Sequence, residues 1–466
     1  MKKFESLKRI LILQLSFIGV LLDTAVYAFF WIERYYPILA TRARGLNYYF
    51  RGHVLVIAIY LVLIFFFTST FGGLKVGYLK AGDIFFSQIF GILAVNVISY
   101  FQLSLMGNWL VPVSYIAVCT AIQIVFSGIW TFLCNAFYHR VFPPRRLLLI
   151  HGDRPIDDIL NKFATRPDKY DIKKTINVSE GLDKIKEEGL SGKYNAVVLW
   201  DITAMDRNKL LKFFYSHSIR VYMMPKIPDV LVQGSDCIHL FDTPIILTRE
   251  YALTAGQRFA KRTLDIICAL ILSIIASPIM LITAICIKAY DRGPVLYKQT
   301  RCTIDRREFE ILKFRSMIPN AEGDGKARLA SKGDSRITPI GKFIRAVRID
   351  ELPQLFNILK GDMSFIGPRP ERPEIIEQYM EEMPEFAFRM RVKAGLAGYA
   401  QVYGKYNTTP YDKLKLDLIY IENYSFWMDI KLMLLTLKIL LKPESTEGVD
   451  ATQITAMKSI EEDSKK

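Results

Sequence analysis

The sequence predicts a multidomain membrane protein: a four-helix transmembrane bundle, then a degenerate Rossmann-like α/β domain, then a mainly α-helical domain with a re-entrant helix. Three observations lead to this fold class. Hydrophobic residues make up 51% of the 466 residues, and the mean hydropathy of +0.20 is high for a soluble protein. Four long apolar runs open the chain. From about residue 145 the composition is that of a soluble domain, interrupted by a fifth apolar run.

The four opening runs are long enough to cross a membrane. They cover residues 10–32, 54–71, 84–106 and 109–134. At about 1.5 Å per residue, each helix spans a hydrocarbon core of about 30 Å. Lys and Arg are concentrated at the N-terminus, in the second loop and at the exit of this segment, so both ends of the bundle 1–144 are predicted to be cytoplasmic. Asp23 lies inside the first run and is expected to face the bundle interior as a structural residue.

The charge limits the classes of binding partner, and the cysteines indicate the redox state of the thiols. The formal net charge of +15 is compatible with nucleic acid, anionic lipid or phosphorylated substrates. The basic stretch 298–348 follows an apolar run and carries no recognition-helix, RRM or zinc signature, so we expect membrane lipid and phosphorylated molecules rather than nucleic acid. The six cysteines include no CxxC pair, which is typical of reduced thiols.

Residues 145–250 are predicted to form the α/β domain. Apolar runs at 147–150, 196–199 and 220–224 alternate with polar stretches, as in βαβ units. Gly152 follows the first of these strands, as in dinucleotide-binding folds, but no GxGxxG motif is present. We therefore expect a degenerate Rossmann-like module with a regulatory or packing role and no bound nucleotide.

The fifth apolar run is predicted to enter the membrane and return. Residues 266–287 are uncharged and long enough for an ordinary transmembrane helix, which is the alternative. However, Pro278, preceded by Ser277, should kink or break a helix near its middle. Basic residues such as Arg258 and Lys298 flank both ends, which favours a cytoplasmic location for both. A re-entrant helix–break–helix over 264–288, within a domain 251–445, satisfies both observations.

Two helix starts follow the basic stretch. Thr338-Pro339 predicts an N-cap and first turn, with Ile340, Phe343, Ile344 and Val347 on one face. Asp350 precedes a second periodic run that includes Leu352, Leu355, Phe356 and Leu359 and stops at Gly361. Taken alone, Asp350 is predicted to be the N-cap of this second helix.

Several spaced motifs accompany this acid. They are Ser277-Pro278, the KFRSM string at 313–317, the IDELPQL string at 349–355 and the GPRP string at 367–370. Together they resemble the monotopic phosphoglycosyl transferases, the bacterial sugar transferase family, over about residues 254–441. The string RVKAGLAG at 391–398 resembles a glycine-containing segment of the family, although Ala394 and Ala397 stand where Pro and Thr are usual. The family also usually carries glycines in the stretch 302–307. The domain order is similar to that of the large family members.

The resemblance implies an enzyme that transfers a sugar-1-phosphate from a UDP-sugar to polyprenyl (undecaprenyl) phosphate and releases UMP. Asp350 would be the nucleophile that forms an aspartyl-phosphosugar intermediate, and Asp350 and Glu351 would be the ligands of Mg²⁺. The candidates for binding phosphate or lipid headgroups are cationic: Lys313, Arg315, Arg348, Arg369, Arg391 and Lys393. For any one of them, a solvated surface charge is the alternative.

The resemblance also implies a location and partners. The transferase domain would lie on the cytoplasmic face of the bacterial inner membrane and initiate exopolysaccharide, capsule or O-antigen assembly, as a possible homodimer. A multi-pass transferase and a non-catalytic scaffold of the glycan-assembly machinery are the rival readings. The aromatic-rich stretch 417–441 predicts either an interfacial amphipathic helix or a core helix. The tail 446–466 is expected to be disordered, and the sugar and the pathway are left open.

Overall fold

The computed structural model describes residues 2–42, 50–248, 250–318, 336–404 and 408–440. The predicted disordered tail 446–466 lies outside these ranges. By their internal contacts, Met1–Pro225 and Lys226–Lys466 form two compact units. The domain boundary predicted near residue 250 stays a prediction, although the contacts divide the chain at residue 225.

The first unit begins with long apolar helices, as the opening apolar runs predict. The helices are α1 (Lys2–Phe30), a π-helical turn (Trp31–Tyr35), α2 (Tyr36–Arg42), α3 (Phe50–Phe71), α4 (Ala81–Gly107) and α5 (Val113–Val141). Helix α1 packs on α3 and α5, and α4 packs on the same two helices. With a later helix of the second unit, five helices of the described chain are long and apolar enough to cross a membrane.

A polar network lies in the middle of this helical unit. Gln123 donates hydrogen bonds to the Asp23 carbonyl and to the Tyr60 hydroxyl, both at 2.8 Å. Asn96 accepts from Tyr60 at 2.8 Å and donates to Gln123 at 2.8 Å. The Asp23 carboxylate is buried and accepts from Ser127 at 2.9 Å. As predicted, Asp23 faces the interior, where polar groups must find partners within the protein.

The first unit continues with a parallel sheet and its helices. Its elements are β1 (Arg145–His151), α6 (Asp157–Ala164), β2 (Tyr170–Asn177), α7 (Leu182–Leu190), β3 (Ala196–Trp200), α8 (Ala204–Ser216) and β4 (Arg220–Met223). The strand order is β2-β1-β3-β4, all parallel. This order matches the start of the flavodoxin-like 2-1-3-4-5 arrangement rather than the 3-2-1-4 order of dinucleotide-binding folds.

Gly152 has a packing role at the end of β1. A Cβ atom on this glycine would lie 2.3 Å from the Asp201 carbonyl oxygen. The Gly152 amide also donates to the Trp200 carbonyl at 3.2 Å. A glycine is therefore needed for the close approach of the β1 and β3 ends, which accounts for its position without any bound phosphate.

The second unit combines one long helix and several short ones with small sheets around a main apolar core and a smaller apolar cluster. Its elements are α9 (Ile227–Gln233), β5 (Asp236–Leu240), β6 (Thr243–Leu247), α10 (Ala255–Asp291), β7 (Leu296–Cys302), β8 (Glu308–Phe314), α11 (Pro339–Ala346), α12 (Gln354–Lys360), β9 (Ser364–Ile366), α13 (Pro373–Glu382), a 3₁₀ segment (Pro384–Arg391), β10 (Gly395–Ala397), α14 (Tyr399–Tyr403), α15 (Pro410–Glu422) and α16 (Phe426–Leu440). Strands β7 and β8 form an antiparallel hairpin, and β9 pairs in parallel with β10.

Helix α10 contains the fifth apolar run and continues through Pro278. The predicted break into two helices is therefore wrong at the level of secondary structure. Pro278 lacks an amide hydrogen and leaves the carbonyl of Ile274, four residues earlier, without its helical donor. The Ser277 hydroxyl donates to this carbonyl at 2.8 Å. The serine replaces the lost hydrogen bond, which lets the helix continue in an apolar environment.

One further helical prediction is confirmed and another needs correction. Thr338 caps α11 as predicted, because its hydroxyl accepts from the Gly341 amide at 2.9 Å. Phe343 and Val347 are nevertheless exposed, whereas Ile344 is buried, so the predicted apolar face is only partly covered. The stretch 417–441 was predicted to form one helix, but its described part, 417–440, belongs to two helices, α15 and α16. Most of the apolar side chains of α15 lie in the core, and α16 exposes Trp427 to 67%.

The network in the helical unit yields a stability prediction. Gln123→Leu removes the donors to the Asp23 carbonyl and to Tyr60, and leaves the Asn96 amide with Thr120 as its acceptor but without Gln123. We expect a loss of about 1–2 kcal/mol, since hydrogen bonds between membrane helices are worth about 1 kcal/mol each. Thermal unfolding in mild detergent measures this loss. Val125→Leu, on the exposed face of the same helix, is the matched control and should unfold like the parent chain; equal melting of both variants would contradict the prediction.

Candidate functional site

The acid pair lies on a tight turn that precedes α12. Arg348 adopts a left-handed conformation with φ of 58°, and Ile349–Glu351 form a 3₁₀ turn. Helix α12 begins only at Gln354, with Pro353 at its N-cap position. The prediction that Asp350 caps this helix is therefore wrong. A backbone hydrogen bond stabilises the 3₁₀ turn without a side-chain cap: the Leu352 amide donates to the Ile349 carbonyl at 3.1 Å.

A buried asparagine fixes α12, and with it the acid pair, to strand β8. The Asn357 side chain accepts from the Leu312 amide at 3.0 Å and donates to the Glu310 carbonyl at 2.8 Å. This side chain therefore pairs with the strand as a neighbouring backbone would. Lys313, the next residue of β8, is placed beside the turn as a result.

Three cations meet at the Glu351 carboxylate. The Arg369 guanidinium donates to Glu351 Oε1 at 2.9 Å, and the Lys313 ammonium donates to the same oxygen at 3.3 Å. Arg348 Nη1 lies 3.7 Å from Glu351 Oε2. The cations come from β8, from the turn itself and from the loop after β9. The structure thus brings three of the six predicted cationic candidates to one acid; we name Glu351, Arg369, Lys313 and Arg348 the Glu351 cluster.

The electrostatics of the cluster keep Glu351 ionised. Burial by itself raises the pKa of Glu351, but the charges of Arg369, Lys313 and Arg348 outweigh burial and hold the pKa well below the usual range. Burial lowers the pKa of Lys313, and the neighbouring Glu351 opposes that effect. The charge of Glu351 raises the pKa of Arg369. A buried ion pair is favourable only where several partners compensate desolvation, as they do here.

Asp350 differs from its neighbour in having no partner in the described ranges. No described side chain forms a hydrogen bond or ion pair with its carboxylate. Burial and the charge of Glu351 raise the pKa of Asp350, whereas Lys313 and Arg345 oppose the rise. The carboxylate is half-buried, unpaired and surrounded by cations. Such a group can attack an electrophile that carries negative charge.

The other three cationic candidates lie elsewhere. Arg315 is buried and forms a two-point ion pair with Asp291 at the end of α10, with one contact of 2.7 Å. Arg391 donates to the Glu250 carbonyl at 2.7 Å and lies 3.6 Å from Glu422. Lys393 lies near Gly361, at the opposite end of α12 from the acid pair. The structure does not bring these three to the Glu351 cluster.

A second acid-centred group was missed at the sequence level. Glu371 pairs with Lys413, and with Arg301 and Arg389 at 3.7 Å each. The cations hold the pKa of Glu371 at about 2, although burial by itself raises it. Arg389 is itself buried and donates to Asp417 at 3.0 Å. Glu371 directly follows the GPRP string, and that position was the signal available in the sequence.

Two buried cations hold the backbone that carries Arg369. The Arg389 guanidinium donates to the Arg369 carbonyl at 3.0 Å. The Lys261 ammonium donates to the Ile366 carbonyl at 2.8 Å and to Asp429 at 2.7 Å. The sequence does not indicate this role for Lys261, because the partners that bury it lie more than 100 residues away. The position of the Arg369 side chain therefore depends on residues outside the motifs.

The acid pair can contribute to a magnesium site only together with a ligand. Among the described residues there is no group of three or more His, Cys, Asp or Glu side chains placed to hold a metal ion. Mg²⁺ commonly takes one or two carboxylates and completes its six ligands with water and substrate phosphate. Asp350 offers an unpaired carboxylate, and Glu351 lies beside it with three cations already bound. This donor set fits a Mg²⁺ ion that arrives with a phosphorylated substrate.

Comparison with known proteins follows the division into units. The family model described as "Bacterial sugar transferase" matches residues 256–443, a range that contains the Glu351 cluster, Glu371 and the two buried cations Lys261 and Arg389. Residues before 256 lie outside this match.

Three relatives show how far the similarity extends. A UDP-N-acetylgalactosamine-undecaprenyl-phosphate N-acetylgalactosaminephosphotransferase of Aeromonas hydrophila is 41% identical over 48% of this chain and 52% of its own length. A UDP-glucose:undecaprenyl-phosphate glucose-1-phosphate transferase of Caulobacter vibrioides is 39% identical over 40% of this chain and 71% of its own length. An undecaprenyl-phosphate galactose phosphotransferase of Salmonella typhimurium is 32% identical over 61% of this chain and 63% of its own length. The chain spans about half the length of the Aeromonas relative.

The Glu351 cluster yields a prediction on stability and pH. Glu351→Gln leaves three cations facing one another without their anion, and we expect a loss of about 2–4 kcal/mol at pH 7. Since the folded-state pKa of Glu351 lies below the unfolded value near 4.5, its stabilisation is complete above that value and declines as pH falls.

The measurement is thermal unfolding of parent and variant between pH 7 and pH 3. The difference between them should be largest at pH 7 and shrink below about pH 4.5. Glu377→Gln, an exposed acid on α13, is the control and should leave stability unchanged at every pH. A difference that grows towards acid pH would refute the role assigned to Glu351.

Proposed function

Because this chain belongs to the bacterial sugar transferase family, we propose that it transfers a sugar-1-phosphate from a UDP-sugar to polyprenyl (undecaprenyl) phosphate. The observation that carries the proposal is the unpaired Asp350 carboxylate beside the Glu351 cluster. The relatives are named for glucose, galactose and N-acetylgalactosamine, so the sugar of this chain is left unassigned. In this proposal the reaction initiates exopolysaccharide, capsule or O-antigen assembly.

The first half-reaction uses Asp350 as the nucleophile. A carboxylate oxygen attacks the β-phosphorus of the UDP-sugar and forms a new phosphorus–oxygen bond. The bond between the β-phosphorus and the bridging oxygen breaks, and UMP leaves with the electron pair. An aspartyl-phosphosugar remains on the enzyme. Since the attacking group must be ionised, the cations Lys313 and Arg345 favour the reaction by opposing the rise in the pKa of Asp350.

Glu351 acts on the reaction through the cations that it holds. Arg369 and Lys313 carry donors beyond those engaged by Glu351, and these can face the diphosphate of the substrate. Mg²⁺ held by Asp350 and Glu351 would neutralise diphosphate charge and stabilise the leaving group. Placing the cations before the substrate arrives reduces the reorganisation needed in the transition state.

The second half-reaction regenerates the enzyme. An oxygen of polyprenyl phosphate attacks the phosphorus of the intermediate, the acyl-phosphate bond breaks, and Asp350 leaves as a carboxylate. The product is a polyprenyl diphosphate sugar. The acceptor is a membrane lipid, so the site must open towards the bilayer surface. In this proposal that surface is the cytoplasmic face of the bacterial inner membrane, and homodimer formation rests on family resemblance alone.

The contacts of α10 support a re-entrant path. Near its start, Arg262 donates to the Leu359 carbonyl of α12 at 2.7 Å. At its end, Asp291 pairs with Arg315, which directly follows β8. Asn357 joins α12 to β8, so both ends of α10 contact the same pair of elements. A straight helix would separate these two contacts by about 40 Å. A helix that bends back towards its start fits the contacts better. Most of the large apolar side chains between the ends, such as Ile274, Ile275 and Leu281, are exposed, as lipid contact requires.

The reaction is tested with the purified full chain, a panel of UDP-sugars, polyprenyl phosphate and Mg²⁺. We expect UMP release from at least one UDP-sugar. Asp350→Asn should lower the rate by 10³-fold or more, because an amide cannot act as the nucleophile. Without acceptor, the parent chain should release no more than about one UMP per chain and gain a phosphosugar on the peptide that contains Asp350.

The control is Glu310→Gln, which changes an exposed acid on β8 that pairs only with Lys298 among the described side chains. It should release UMP at the parent rate. Full activity of folded Asp350→Asn would refute the nucleophile assignment. A parent chain that releases no UMP with any UDP-sugar would favour the non-catalytic scaffold.

The path of α10 is tested by single cysteines at Arg258 and Lys298, both exposed positions. The exposed cysteines Cys237 and Cys286 are first replaced by Ser. A re-entrant helix predicts that an impermeant thiol reagent labels both positions in inside-out vesicles and neither in intact cells. Labelling from opposite sides would make α10 a membrane-crossing helix.

A further inference from the structure

A second group of cations lies at the far end of α12 from the acid pair. Gly361 ends this helix in the left-handed region, with φ of 98°. A Cβ atom on Gly361 would lie 3.4 Å from Arg262 Nη2 and 3.7 Å from Lys393 Nζ. The two cations therefore converge over the bare Cα of the glycine. Arg307 approaches the next residue, since its guanidinium donates to Asp362 Oδ1 at 3.1 Å. We name Arg262, Arg307 and Lys393 the Gly361 cluster.

The Gly361 cluster is held by backbone contacts on three segments. The Thr303 hydroxyl donates to the Asp362 carbonyl at 2.8 Å and accepts from the Ala394 amide at 3.1 Å. These bonds join the β7–β8 turn, the end of α12 and the segment that carries Lys393. Arg262 is fixed by its donation to the Ile358 and Leu359 carbonyls. The cations are thus placed before any ligand binds.

Lys393 is the member of the cluster that lacks an acceptor in the described ranges. Arg262 donates to the end of α12 and Arg307 to Asp362, but no described group accepts from the half-buried Lys393 ammonium. Burial and the charge of Arg262 lower the pKa of Lys393, although Asp265 and Asp362 oppose this. A half-buried ammonium without an acceptor is unfavourable, and an external anion would remove that cost.

The position of the cluster indicates where the anion comes from. Arg262 lies one helical turn before the apolar run of α10, which begins at residue 266. Cations at this position of a membrane helix lie at the level of the lipid headgroups. From Leu352 to Gly361 the chain advances about 13 Å along the helix axis, so this cluster is separate from the acid pair.

We propose that Arg262, Arg307 and Lys393 form a binding site for the phosphate of an anionic membrane phospholipid at the end of α12. A phosphodiester would accept from Lys393 and from the donors that Arg262 and Arg307 have left. The bound lipid would hold the start of α10 and the end of α12 at the membrane surface. This site is independent of the Asp350 chemistry, because no residue of the Glu351 cluster takes part.

The test measures lipid binding to the full chain in mild detergent by native mass spectrometry. Phosphatidylglycerol and phosphatidylcholine are titrated against the parent chain, Lys393→Met and Lys393→Met/Arg307→Gln. Each juxtamembrane cation is worth about 1 kcal/mol, or roughly fivefold in affinity for an anionic lipid. We expect phosphatidylglycerol binding to weaken about fivefold in the single variant and about 25-fold in the double variant. Phosphatidylcholine binding should not change.

Lys212→Gln is the control, since it removes an exposed cation of helix α8 in the first unit and should bind both lipids like the parent chain. Lys393→Met removes no hydrogen bond to any described residue, so it keeps the test valid if the double variant does not fold. Unchanged phosphatidylglycerol binding in Lys393→Met would overturn the proposal. So would loss of binding in Lys313→Met instead, which would place the lipid at the Glu351 cluster.

Inorganic phosphate is the last probe. At equal concentration it should not displace phosphatidylglycerol from the parent chain, because the acyl chains hold the lipid beside α10. Displacement at equal concentration would assign the site to a soluble phosphate and overturn the lipid assignment. All readouts are binding measurements, so they are separate from the UMP assay that tests the proposed function.

Discussion

The attraction between the Glu351 carboxylate and its three cations is the interaction on which the candidate site depends. Arg369, Lys313 and Arg348 would repel one another without this anion. Each belongs to a different segment, so one carboxylate holds together a strand, a turn and a loop. Asp350 gains its position and its electrostatic surroundings from the same group. The two acids therefore have different roles: Glu351 binds the cations, and Asp350 has no partner among the described residues.

The order imposed by Glu351 extends outwards through buried ion pairs. Arg369 reaches Glu351 from a loop whose backbone accepts from Arg389, and Arg389 is neutralised by Asp417. Lys261 holds the strand just before this loop and is neutralised by Asp429. Each of these two cations donates one hydrogen bond to the backbone of the loop or of the strand before it, and another to a buried acid. Such pairs are costly when one partner is removed, so the loop geometry is sensitive to residues far from the acids.

Long-range order of this kind explains which features the sequence could predict. The membrane helices followed from apolar length, the cap at Thr338 from local chemistry, and the choice of Lys313 and Arg369 from the resemblance to the bacterial sugar transferase family. Strand β2 escaped notice because it is only partly buried and lacks an apolar run. Arg315 was grouped with the site cations because it belongs to the same motif as Lys313. The sequence does not show that its side chain pairs with Asp291 instead. The cap assigned to Asp350 failed because a 3₁₀ turn intervenes before α12.

The hydroxyl of Ser277 has a mechanical consequence for the protein in its bilayer. Since it supplies the donor that Pro278 cannot, the helix loses no hydrogen bond at the point where a proline weakens its stiffness. A helix with such a joint would change its angle at little enthalpic cost. Its depth could then follow the thickness of the hydrocarbon core, which differs between membranes and with lipid composition. A rigid helix would instead transmit a change in thickness to the block that carries the acids, and the serine–proline joint would absorb it.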